Sequence, residues 1–169
     1  MPSLKENCLE PSQIIQDLSA AEASKRLAAA EACAKQPELA KMAVIPLCRV
    51  ASDPDEQVVE WASAALEEMG PPSSDELDAL VGMFSAVEAT AYWAVTLVGR
   101  LKPSDAAVSK RLAELIVAAP TPDEVRNRAI WAIDQIGASG PEVQQALEQA
   151  AQSQSPRTSR LATKALSKG

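Results

Sequence analysis

Four stretches of this chain carry one apolar pattern at nearly constant spacing, and that recurrence limits the fold more than any other feature. Val125, Ala129, Ala132, Ile133 and Ile136 fall at i, i+4, i+7, i+8 and i+11, a single stripe at helical period. The same stripe reads Val58, Ala62, Ala65, Leu66 and Met69 in an earlier copy, and Thr90, Ala94, Leu97, Val98 and Leu101 in the one between. It returns as Thr158, Ala162, Ala165 and Leu166, and a further copy is read at Ala23, Leu27, Ala30 and Ala34. Each stripe follows a helix-start signal. Asp53, Thr121 and Ser155 stand directly before proline, and Ser85 stands three residues before Glu88. A short polar side chain ahead of proline at the first helical position is expected to accept an orphan amide, and Glu56, Glu88 and Glu124 complete capping boxes. These starts are spaced 32, 36 and 34 residues apart, the period of a helical repeat.

A second set of helices is expected between the striped ones, over 38–51, 75–86, 105–119 and 141–152. The unit is therefore helix, turn, helix, turn. One such pair cannot cover its own apolar face, whereas stacked neighbours can. Alanine supplies 32 of the 169 residues and aromatic residues only 3%, so helices are favoured and can approach closely. Pro46 lies inside an otherwise helical run, where it removes a hydrogen bond and should bend the helix. The expected organisation is an N-terminal segment or cap over 1–20, then one repeat domain over 21–169.

Charge is uneven along the chain. The net charge is −7, yet ten acidic residues and no lysine or arginine lie between Arg49 and Arg100. The last fifteen residues carry Arg157, Arg160, Lys164 and Lys168 and no acid. An acidic centre repels phosphate backbones, so no nucleic-acid partner is expected. No apolar run reaches the length of a membrane span, and the start MPSLKENCLEPSQ has no apolar signal core, so a cytoplasmic protein is expected. Cys8, Cys33 and Cys48 are too far apart for a metal pair and are read as buried thiols.

Chemistry is limited by what is missing. The chain has no histidine, which removes Ser-His and Cys-His nucleophiles and every imidazole metal site. No phosphate-binding glycine loop and no S-x-x-K dyad occurs. Neighbouring carboxylates such as Asp55 and Glu56 gather at helix starts, where the helix dipole favours them. No catalytic residue, metal or cofactor is expected.

The pattern Asp123, Val125, Arg126, Ala129, Ala132, Ile133 and Gly137, with the segment AVIPLCRVASDP before the earlier copy, resembles the HEAT repeat family. The resemblance covers roughly residues 20–169. It implies an all-α fold, a short right-handed α-α superhelix of about four to five helix pairs. The family's Asp and Arg ladder departs here, because Val59, Ala91 and Ser159 stand where Arg126 does. A continuous ladder between repeats is not expected. Di-iron hydroxylases of this family would need His-Glu pairs, and the similar DNA alkylation-repair glycosylases a basic aromatic groove; the chain has neither.

Within such a stack the second helices line the concave side. With Val125 set at zero, about 100° per residue puts Asp134, Asn127 and Trp131 on the side opposite the stripe. The matching residues are Glu60, Ala64 and Glu67, then Tyr92, Thr96 and Gly99, and finally Arg160, Lys164 and Ser167. Ala64 and Gly99 should leave shallow depressions. Trp61 and Trp93 occupy one matching place on the flank of the stripe and are read as fillers between repeats. Trp131 sits off that pattern and should point outward, with packing beneath a neighbour as the alternative.

The leading expectation is a non-catalytic protein- or peptide-binding scaffold, with Glu60, Glu67, Tyr92, Thr96, Asn127, Trp131, Asp134, Arg160 and Lys164 at the contact. The acidic positions would steer a basic segment. A ligand-handling enzyme resembling the phycobilin lyases is the second reading, and weak self-association through the basic last helix is the third.

Overall fold

The computed structural model describes residues 10–168, all helices and turns, so Cys8 lies outside the described residues. The chain divides into two compact units, one up to Met69 and one from Gly70 onward.

The first unit holds α1 (Pro11–Leu18), α2 (Ala23–Lys35), α3 (Pro37–Met42), α4 (Val44–Val50) and α5 (Glu56–Glu68). Ile14 and Leu18, one turn apart on α1, are both buried, and α1 packs on α2 and α4. The α2 stripe differs from its sequence reading. Ala29, Ala30 and Cys33 are buried, while Leu27 and Ala34 are only half-buried. In that register Arg26 is the counterpart of Arg126. Its guanidinium donates to the Ala20 and Ala21 carbonyls and grips the Asp53 carboxylate through Nε and Nη2 at 2.6 and 3.0 Å.

This grip also moves the cap of α5. Asp53 is held by Arg26 and accepts from the Asp55 amide, so Asp55 becomes the N-cap and accepts from Gln57 and Val58. The hydrogen bond from Arg26 holds the Asp53 carboxyl below the usual range. Burial alone pushes the Cys33 thiol up to about 11, and Cys33 and Cys48 are both buried and free of disulfide. The expected bend is a full break at Ala43 (φ −124°), four residues after Leu39 and three before Pro46. Pro46 has no amide to offer the Met42 carbonyl and its ring would collide with it, so the helix restarts there.

In the second unit a short α6 (Leu77–Gly82), flanked by single 3-10 turns, leads into α7 (Glu88–Leu101). There follow α8 (Ala106–Val117), α9 (Asp123–Ile136), α10 (Pro141–Ala151) and α11 (Pro156–Leu166). α9 packs between α7 and α11, and α8 packs on α9 and α10, giving two helical layers. The stripes meet there: Ala94, Leu97, Val98, Val125, Ala129, Ala132, Ile133 and Ala162 are all buried.

Caps again fall later than the residue pattern suggests. Val87 and Pro122 precede α7 and α9, and Ser155 precedes α11 without a side-chain cap bond. Thr121 instead gives its carbonyl to Arg126, which also binds the carbonyls of Ile116 and Ala118 at the end of α8. Ser159 at the matching place donates to the Ala151 carbonyl at the end of α10. These side chains thus satisfy orphan carbonyls of the preceding helix.

Candidate functional site

The tryptophan on the outward side of α9 is placed by a small residue on α7. Gly99 of α7 is buried, and a Cβ there would lie 2.5 Å from Cζ3 of Trp131 and 3.1 Å from the Ala132 Cα. Trp131 therefore lays its indole edge against the Gly99 backbone and fills the depression expected at that glycine. Trp131 as a whole is half-buried.

Arg128, one turn before Trp131, completes the arrangement. Its guanidinium carbon lies 4.4 Å from the centre of the Tyr92 ring and 4.9 Å from that of Trp131. It also donates to the Tyr92 hydroxyl. Sharing a cation between two ring faces stabilises each contact by about 0.5–2 kcal/mol and fixes both rings. Tyr92 in turn meets the buried Trp93 edge-on, with centroids 5.6 Å apart.

α11 forms the opposite bank. Arg157 Nη1 lies 2.9 Å from Glu124, and Lys168 Nζ lies 2.7 Å from Asp134. Below them the Thr158 hydroxyl donates to Asn127 Oδ1 at 2.8 Å. The result is a cleft of about 140 Å³ lined by Tyr92, Glu124, Asn127, Arg128, Trp131, Arg157 and Leu161.

The structure brings Tyr92, Asn127 and Trp131 together, and Arg160 and Lys164 stand exposed along the same side of α11. Two expected contacts are interior instead. Thr96 is 1% exposed and donates to its own turn at Tyr92, and Asn127 is 4% exposed at the cleft floor. Asn127 lies on α9, which has α7 on one flank and α11 on the other, and Thr96 lies on α7, which packs on α9 and α6, so sides that an isolated helix would show to water are covered. Asp134 is half-buried beneath Lys168. Glu60 and Glu67 are exposed on α5 in the first unit, where Trp61 is half-buried with Lys35 Nζ 5.9 Å from its ring centre.

The sequence reading missed Arg128. A signal for it existed: it occupies the place where the earlier copies carry Trp61 and Trp93 and the last carries Leu161. A cation replacing an aromatic at a flank position needs a π-face to lie on, and Tyr92 and Trp131 provide two.

No protein-family profile matches the sequence, and no curated protein matches it. Solved structures do. A computationally designed armadillo repeat protein for modular peptide recognition superposes with a TM-score of 0.58 at 20% identity, covering 91% of this chain and 79% of that one. The chain is a helical repeat solenoid. A second designed armadillo repeat protein, in complex with the peptide (KR)4, gives 0.56 at 19% identity over 91% of this chain and 79% of its own. An engineered protein gives 0.56 at 18% identity, covering 92% and 77%. Armadillo neighbours carry the HEAT-like reading at the coarser level of a helical repeat solenoid. Among the described residues no helix is long and apolar enough to cross a membrane.

Proposed function

We propose that this solenoid is a non-catalytic scaffold that holds a peptide segment of another protein against the outward face of α7, α9 and α11. The observation that carries this reading is the Tyr92–Arg128–Trp131 stack, which presents pre-fixed aromatic and cationic surface at a cleft. Aromatic residues and arginine are the side chains in which contact energy concentrates, and fixing them beforehand lowers the entropy cost of binding. The peptide-recognising design among its structural neighbours supports the same use of the fold. Glu60 and Glu67 on α5 are proposed as contacts for basic side chains. The cleft of about 140 Å³ is well below the roughly 300–1,000 Å³ of small-molecule sites, so it suits a single side chain of a peptide rather than a whole ligand.

The test is selection from a displayed peptide library on the full chain. Recovered peptides should bind the native protein and lose most affinity for Trp131→Ala and Tyr92→Ala variants of unchanged helicity. Selection that recovers no binder, or binders indifferent to both changes, rules the proposal out.

A further inference from the structure

The charge around the cleft is opposite to that of the chain as a whole. On the outward sides of α9 and α11, and in the turn just past α11, stand Arg128, Arg157, Arg160, Lys164 and Lys168. The carboxylates on those sides are Asp123, Glu124 and Asp134, each already within 3 Å of a cation, Arg126, Arg157 and Lys168 respectively. The face thus carries an excess of positive charge on a protein whose net charge is −7. Arg160 and Lys164 are exposed one turn apart, and Leu161 between them lines the same cleft as Trp131.

We infer that the Trp131 cleft takes an acidic peptide segment, with its carboxylates along Arg160 and Lys164 and an apolar side chain between Trp131 and Leu161; this rests on the scaffold reading. Arg128 is held against the Tyr92 and Trp131 rings, and the cations offered to the partner are the exposed Arg160 and Lys164. A carboxylate beside the cleft therefore meets the positive charge of Arg160 and Lys164. Opposite charge also speeds encounter and sets register, so binding should depend on salt. The inference reverses the charge expected of a partner on this face from the acidic centre of the sequence. That expectation came from residues preceding Arg100, whereas α9 and α11 follow it.

The experiment measures anisotropy of three labelled octapeptides, (Asp-Leu)4, (Asn-Leu)4 and (Lys-Leu)4, on the full chain at low and high salt. The acidic peptide is expected to bind tightest and to weaken with salt. Arg160→Gln with Lys164→Gln should weaken it about tenfold, and Arg160→Glu with Lys164→Glu should make the basic peptide the better ligand. Both pairs lie on the exposed side of α11, and circular dichroism verifies folding. Equal binding of the acidic and neutral peptides, or acidic binding untouched by the charge reversal, overturns the inference. If the neutral peptide binds and Trp131→Ala abolishes it, the scaffold reading survives while the charge inference falls. If none of the three peptides binds, the charge inference falls, and the scaffold reading is decided by the library selection. Sedimentation of the same samples adds one more outcome. A salt-sensitive dimer that the charge reversal abolishes would assign the face to acidic residues of a second copy, which also overturns it.

Discussion

Gly99 sets how closely α7 and α9 approach, because Trp131 occupies the space its missing side chain leaves. Gly99→Ala must push back either a flexible indole edge or the Ala132 backbone, and the indole is the softer of the two. We expect a loss of about 1–3 kcal/mol in denaturant unfolding, together with a red shift of tryptophan emission as Trp131 moves outward. An unshifted spectrum would mean that the helices part instead. Lys102 shows the converse effect. It ends α7 in the left-handed region at φ 51°, the position filled after α5 and α9 by Gly70 at 75° and Gly137 at 67°. Only glycine adopts that conformation without steric cost. Lys102→Gly should therefore raise stability by about 0.5–1 kcal/mol, read as a higher urea midpoint.

At the scale of the elements, the apolar stripes and the repeat length were legible in the sequence. Val58, Ala62, Leu66 and Val125, Ala129, Ile133 are buried as their spacing implies. Periodicity records which face is covered, so it survives without knowledge of the neighbours. The helix starts were less legible because local capping competed with tertiary bonds. Asp53 looks like a cap until Arg26, 27 residues earlier, claims its carboxylate. Nor could a helical wheel show that Asn127 is covered, since that depends on α9 having helices on both flanks. Arg128 was legible only as a departure from Trp61 and Trp93, and its meaning needed the positions of Tyr92 and Trp131.

The Asp53–Arg26 pair yields a prediction about α2 and α5. Its carboxyl is held below the ordinary range, so its contribution to stability is complete above the unfolded value near pH 4. That contribution is lost as pH falls through the lower folded value. Asp53→Asn should accordingly melt below the native protein at pH 7, and the gap should close as the pH is taken below about 4. A gap independent of pH would show that packing, not charge, holds the pair.

For the molecule as a whole, alanine-rich second helices allow close stacking, and close stacking leaves few large side chains to spare for contact. The exceptions then become informative. Of three tryptophans, Trp93 is buried, Trp61 lies beside α2's last turn, and Trp131 alone lines a cleft with a cation beside its ring. The central claim is that a partner segment docks at that ring. It is tested most directly by the indole N–H resonances of the isotope-labelled full chain, titrated with the tightest peptide recovered by selection. The Trp131 signal should shift progressively while those of Trp61 and Trp93 hold their positions. Saturable binding that leaves the Trp131 signal unmoved would contradict it.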